Sequence, residues 1–268
     1  MRGEELNLAR DVVPMHDVDG SRPIDEAVND RLAARTPATA VCRVLTYNVH
    51  SCIGADRKYD PHRILDIVRR LDADVVALQE LRAYSADDDQ FHLFQEQLKP
   101  MAAVFGTTFR RTRFKFGNAL FVRGTILEKR LLDLSVAPFE ERGAIDCTVS
   151  IRGRRARFIA AHLGLFRRER AEQLVRLATA LKHHQEEVTV ILGDFNIFGA
   201  ERRRLGTVGA PAVLPRIRTF PSFQPIMSLD RIWSIPNDRL VRLARHRDAP
   251  ARWASDHLPL VGEVVLAD

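Results

Sequence analysis

From Val41 onward, short apolar runs alternate with amphipathic stretches, and the two patterns have different periods. RVLTYNVH (43–50), ADVVALQE (73–80), GNALFVR (117–123), AIDCTVSI (144–151), ARFIAAHLGL (156–165), VTVILGDFN (188–196), LDRIWSI (229–235) and LPLVGEVVL (258–266) are short, β-branched and bounded by polar residues, so each predicts a strand. DPHRILDIVRRLDA (60–73) opens with an Asp cap and a proline at the first helical position. It sets Ile64, Ile67, Val68 and Leu71 on one face, which predicts a helix. QFHLFQEQL (90–98) and RRERAEQLVRLATALKHH (167–184) predict two more, the second with Leu174, Leu177, Ala178 and Leu181 on one face. Consecutive strand pairs over 119–134 and 144–161 imply hairpins, while other strands are separated by helices. A mixed or mostly antiparallel arrangement with outer helices fits this order better than a doubly wound parallel sheet.

Residues 1–38 are polar, hold several prolines and sustain no period, which predicts an arm; 39–268 then form one domain, because no linker-like stretch divides them. No apolar run is long enough to span a bilayer, and the first 35 residues carry no apolar signal core, so a cytoplasmic location is expected. Three widely spaced cysteines form neither a disulfide framework nor a zinc pair. The net charge is +6, carried almost wholly by arginine. A basic surface attracts phosphates, nucleic acid or anionic lipid headgroups, so peripheral contact with anionic surfaces is an expectation, although arginine bias also arises from base composition alone. FRRTRFKF (109–116) reads as one alternating strand with solvated arginines, or else as a nucleic-acid groove. AERRRLGTVGAPAVLPRIR (200–218) is the longest irregular basic stretch and is expected beside the site, shaping substrate choice.

The candidate chemistry lies at the strand ends. Asn48 and His50, Glu80, Asn118, His162, Asp194 and Asn196, Asp230, and Asp256 with His257 all abut apolar runs. A buried polar group without a partner costs about 1–3 kcal/mol, so so many at strand edges are best explained if they share one rim and partner one another. GDFN (193–196) poses the question most sharply, because Asp and Asn also favour plain turns. Carboxylates and amides without thiolates suit a hard cation such as Mg²⁺ or Mn²⁺. A histidine with an Asp beside it supplies a general base and its orienting partner. Together with arginine, this set suits attack of water on phosphorus.

TYNVH, LQE, GNALFV, AAHLG, GDFN, LDRIW and SDHLPL, in that order over residues 43–262, resemble the endonuclease/exonuclease/phosphatase superfamily, and its small bacterial members in particular. The resemblance implies a four-layered α/β sandwich of two packed, mostly antiparallel sheets flanked by helices, with the site at one rim. It implies that Glu80 is the principal metal ligand, with Asn48 and Asp256 near by. His257 becomes the general base, Asp230 its orienting carboxylate, and Asp194 and Asn196 the groups that orient water and a phosphate oxygen. His162 stands where relatives contact the phosphate. Arg142, Asn118 and Arg231 are candidate substrate-binding residues; Arg142 has the alternative of an ion pair with Glu140 or Glu141. His50 replaces the acid that abasic-site endonucleases carry, which departs from the repair pattern. The expected function is a divalent-metal-dependent phosphoester hydrolase acting on a small-molecule, lipid-headgroup or nucleic-acid ester. The alternatives are a DNA or RNA endonuclease of the same fold and, from another class, a non-catalytic phosphate-binding module.

Overall fold

Eleven strands fold into two sheets in the computed structural model, which describes residues 41–85, 88–111, 114–183 and 186–266. The first sheet has six strands in the order β10-β11-β1-β2-β4-β3 and the second has five in the order β5-β6-β7-β8-β9. The strands are β1 (Val41–Asn48), β2 (Val75–Ala83), β3 (Ala102–Arg111), β4 (Phe114–Val122), β5 (Thr125–Asp133), β6 (Gly143–Ile151), β7 (Arg154–His162), β8 (Thr189–Asp194), β9 (Asp230–Ile235), β10 (Leu240–Arg245) and β11 (Leu260–Val265). The helices are α1 (Pro61–Leu71), α2 (Gln90–Gln97), α3 (Arg167–His183) and the short α4 (Ala251–Ala254). All pairings are antiparallel except one in each sheet, β1 with β2 and β7 with β8.

Strand alternation builds the layers. Val44, Val75, Leu120, Ile145, Phe158, Val190 and Ile232 pack between the sheets in one core. The other faces carry Leu45, Tyr47, Val76 and Leu78, which pack with Ile64, Ile67 and Phe94 of α1 and α2. Ile159, Ala161, Ile191 and Trp233 pack with Leu174 and Leu177 of α3. Side chains of successive strand residues point to opposite faces, so one strand serves two layers. This is the four-layered sandwich that the resemblance implies.

Local chemistry agrees with the predicted helix ends. Asp60 caps α1 by accepting from the backbone N–H groups of His62 and Arg63 at 3.0 and 3.3 Å. Arg157 reaches out of β7 to grip Asp146 through two 2.8 Å bonds and donates to the Ala180 carbonyl, which ties α3 to its sheet.

Two sequence expectations change. FRRTRFKF is not one strand: it divides between β3 and β4, with Phe109 paired to Phe116 and Arg111 to Phe114. The side chains of 109–114 lie outside the described residues, as does the predicted arm over 1–38. The basic stretch after GDFN is not wholly irregular either, since Gly199–Val208 forms 3₁₀ turns that bury Leu205 and Val208. β10 was not apparent in the sequence: Leu240–Arg245 is arginine-rich and mostly half-buried at a sheet edge, where the apolar pattern fades.

Candidate active site

Chain direction brings the polar strand ends together. β1 and β2 run parallel, so both end at one rim, with Asn48 in register with Gln79 and Glu80 one residue on. β7 and β8 repeat this in the other sheet, with His162 opposite Asp194. The antiparallel neighbours begin at the same rim: β9 starts with Asp230 opposite Asp194, and β11 follows Asp256 and His257. Each sheet thus contributes two strand ends and one strand start.

Local backbone then aims the groups. Register slips between Leu78 and Leu81 in the β2–β4 pair, and Glu80 at this bulge takes a left-handed conformation with φ 64°. Bulges re-aim side chains, and a non-glycine residue at positive φ is a strained position that neighbours must hold. At Gly193 φ is 143°, and a Cβ there would lie 1.9 Å from the Ala161 carbonyl oxygen, so the close approach of β8 to β7 requires glycine. GDFN is both a turn and part of the shared rim. Asp194 Oδ1 accepts from the Asn196 backbone N–H at 2.9 Å, while its Oδ2 accepts from Asn48 Nδ2 at 3.1 Å. Asn196, at φ 51°, donates from Nδ2 to the Leu163 carbonyl at 2.9 Å.

Asn48 joins the two sheets. Its Nδ2 also donates to Glu80 Oε1 at 2.9 Å, and its Oδ1 accepts from the His50 N–H at 3.0 Å. His162 Nε2 stands 3.8 Å from both Glu80 Oε1 and Asp194 Oδ2. Across from it, His257 Nδ1 donates to Asp230 Oδ2 at 2.8 Å, and His257 Nε2 faces Asp194 Oδ2 at 3.7 Å. Asp256 lies at the exposed side, with His50 Nδ1 3.8 Å from its carboxylate. All of these except Asp230 line a cavity of about 480 Å³ together with Arg142, Glu140, Phe116, Leu165, Phe198 and Phe220.

Of the predicted site residues, Asn48, Glu80, Arg142, His162, Asp194, Asn196, Asp256 and His257 line this cavity, and Asp230 sits behind His257. Asn118 instead donates from Nδ2 to the Gly143 carbonyl at 3.1 Å and ties β4 to β6. Arg231 lines a neighbouring cavity. Arg142 satisfies both readings offered for it: it is buried in the cavity wall, pairs with Glu140 at 3.0 Å and leaves Nε buried without a partner. Sequence reasoning missed Thr219, whose hydroxyl donates to Asp230 Oδ2 at 2.5 Å, and Ser255, which donates to the Asn48 carbonyl at 2.7 Å. Ser255 opens SDHLPL and Thr219 opens TFPSF (219–223), but hydroxyls are common in turns and give no distinct signal.

Electrostatics separates the groups. Burial raises the Glu80 carboxyl above its usual range; the Asn48 bond opposes this, and the charges of Asp256 and Asp194 add to it. Burial pulls His257 down, but Asp230, Asp194 and Asp256 outweigh it and lift the imidazole to about 10. Burial also pulls His162 down, and the Arg142 charge adds to it, so His162 falls to about 3. Asp194, Asp230 and His257 place one ligand atom each within 4.8 Å of one another. Two of these residues, however, are already joined in the Asp230–His257 hydrogen bond. Glu80 and Asp256 are the more open acids, and neither meets a lysine or arginine in an ion pair among the described residues. An all-oxygen donor set with uncompensated negative charge fits a hard divalent cation.

The ordered motifs, the two-sheet sandwich and this rim agree with one family, and the chain belongs to it: the Endonuclease/Exonuclease/phosphatase family matches residues 45–257. No curated protein matches the chain by sequence. Among solved structures, the endonuclease/exonuclease/phosphatase from Beutenbergia cavernae DSM 12333 is similar at 20% identity and TM-score 0.67, covering 85% of this chain and 72% of its own. The mannosyl-6-phosphatase Bt3783 of Bacteroides thetaiotaomicron VPI-5482 is similar at 18% identity and TM-score 0.65, with 85% and 100% covered. D. rerio TDP2 complexed with single strand DNA product is similar at 17% identity and TM-score 0.63, with 84% and 98% covered. The fold is therefore the family's, and the chain is a hydrolase acting on ester bonds. No helix among the described residues is long and apolar enough to cross a membrane.

Proposed function

We propose that this chain is a divalent-metal-dependent phosphoester hydrolase in which His257 is the general base. The observation that carries this reading is the Asp230–His257 pair, 2.8 Å apart, with the other imidazole nitrogen turned toward Asp194. A carboxylate on Nδ1 fixes the tautomer and stabilises the imidazolium that proton abstraction creates. Thr219 holds the same Asp230 oxygen, and the Phe220 ring lies 4.9 Å from the imidazole, so the base has little freedom to turn. A water beside His257 Nε2 and Asp194 Oδ2, which lie 3.7 Å apart, meets two proton acceptors once the imidazole is neutral.

Glu80 and Asp256, with Asn48 bracing Glu80, are the residues suited to hold Mg²⁺ or Mn²⁺. Such an ion, when bound, neutralises the clustered carboxylates and polarises the phosphate. Without that compensation His257 keeps its proton up to about pH 10, so the base requires it. His162, held neutral by burial, and Asn196 contact phosphate oxygens. Arg142 supplies a guanidinium that can grip two of them.

The test is hydrolysis of p-nitrophenyl phosphate, bis-p-nitrophenyl phosphate and supercoiled plasmid with Mg²⁺, each beside EDTA and beside His257→Ala. Turnover abolished by EDTA is expected. Retention of the wild-type rate by His257→Ala, or no turnover of any ester by folded protein, would refute the assignment. Plasmid nicking would place the substrate among nucleic acids. That second reading is favoured by the arginine-lined cavity beside the rim and by the likeness to TDP2 with its single strand DNA product.

A further inference from the structure

A second cavity of about 630 Å³ adjoins the first and shares Phe198 and Met227 as its wall. Its lining holds Arg202, Arg203, Arg216, Arg218 and Arg231 and no carboxylate. Among the described residues none of these five forms an ion pair with Asp or Glu, and Glu201, next to Arg202 in sequence, is taken up by Arg170 at 2.5 Å. Five cations facing one hollow without an anion repel one another, an arrangement that a bound anion relieves.

The floor is built, not merely coated. Arg231 is 3% exposed. Its two terminal nitrogens donate weakly to the Pro215 and Ile197 carbonyls at 3.4 and 3.3 Å, and Nε is buried with no partner. Burial together with the Arg202 charge lowers Arg231 to about 10, the cost of holding a cation there. β9 explains the adjacency. Asp230 and Arg231 are successive strand residues and point to opposite faces. The first serves His257 and the second serves the neighbouring cavity. The 3₁₀ turns after GDFN bring Arg202 and Arg203, and the segment entering TFPSF brings Arg216 and Arg218.

We infer that this cavity is a subsite for a second phosphate of the substrate. The reacting phosphate lies among His257, Asp194 and Arg142, the connecting moiety rests on Phe198 and Met227, and the second phosphate is held by the arginines. Guanidinium forks match phosphate oxygens in geometry as well as charge. The second phosphate belongs either to the backbone of a single-stranded nucleic acid or to a small bisphosphate. The inference rests on the phosphoester reading of the first cavity, so its test has one arm that needs no catalysis.

That arm is calorimetric titration of the metal-free protein with inorganic pyrophosphate. Wild-type protein binds, Arg216→Gln/Arg218→Gln weakens binding about tenfold or more, and Arg168→Gln on the exposed face of α3 does not. Both pocket arginines are exposed, so the double variant folds, which circular dichroism checks. The second arm compares kcat/KM for a short single-stranded oligonucleotide and for a sugar bisphosphate, each against p-nitrophenyl phosphate. The double variant lowers the preference about tenfold for whichever ester uses the pocket, which identifies the source. Pyrophosphate that fails to bind, or binds equally to the double variant, overturns the subsite even if esters are hydrolysed. Lost pyrophosphate binding without hydrolysis of any ester upholds the anion pocket and refutes the phosphoester reading alone.

Discussion

His257 and His162 stand on facing walls of one cavity and are driven to opposite charge states. His257 comes from the six-stranded side, just before β11, and meets Asp230 at 2.8 Å and Asp194 at 3.7 Å. His162 ends β7 on the five-stranded side, 3.8 Å from Glu80 and Asp194, with the Arg142 charge bearing on it. Burial pulls both down; at His257 three carboxylates outweigh it, whereas at His162 burial prevails, with Arg142 adding to it and Asp194 opposing. One imidazole rises to about 10 and the other falls to about 3. In the proposed mechanism the same residue type thus supplies a group that can hold a proton after abstraction and a neutral donor toward phosphate that carries no charge.

The largest effect should separate the two by rate. With Mg²⁺ present, His257→Ala is expected to lower kcat about 10²–10⁴-fold, the usual cost of a missing general base. His162→Ala removes one hydrogen-bond contact and should cost about tenfold. Steady-state kinetics on bis-p-nitrophenyl phosphate measures both. Equal losses would dissolve the division of labour.

Next in size is the charge that raises His257. Asp230→Asn keeps the shape and removes the anion, so the His257 pKa should fall by about 1–3 pH units, read from the imidazole resonance in metal-free protein. The sign of the linked stability follows. A histidine at about 10 in the folded state and 6.5 unfolded stabilises the fold fully below pH 6.5, and that contribution is lost as pH rises toward 10. Asp230→Asn should flatten that alkaline decline in urea midpoints. An unchanged alkaline slope would show that Asp230 does not set the charge of His257.

How much of this pairing could be read from the chain alone follows from periodicity and distance. The strands that end at the rim were legible because apolar runs stop at polar residues: VVALQE at Glu80, VTVILGDFN at Asp194. The fold's two parallel pairs were not, since a parallel register depends on crossovers and not on local pattern. Nor was the role of Asn48 as a bridge between Glu80 and Asp194, because the three are separated by 32 and 146 positions. Arg231 shows the same limit. Its place after Asp230 suggests a phosphate contact, but only strand alternation in the fold shows that it faces the neighbouring cavity.

The smallest effect tests the cationic side of the comparison. Burial is the larger cause of the low His162 value and Arg142 the next, so Arg142→Gln should raise it by less than about one pH unit. A histidine at about 3 when folded and 6.5 when unfolded withholds a proton that the unfolded chain binds, so stability falls as pH drops from 6.5 toward 3. In Arg142→Gln that acid decline should be shallower than in wild type, as read from urea midpoints between pH 4 and 6.5 in EDTA. The same variant should raise KM for phosphate esters, since Arg142 Nε lies in the wall without a partner. A change in KM with an unaltered acid slope would make Arg142 a phosphate contact alone. A changed slope with an unaltered KM would make it only the cation that keeps His162 neutral.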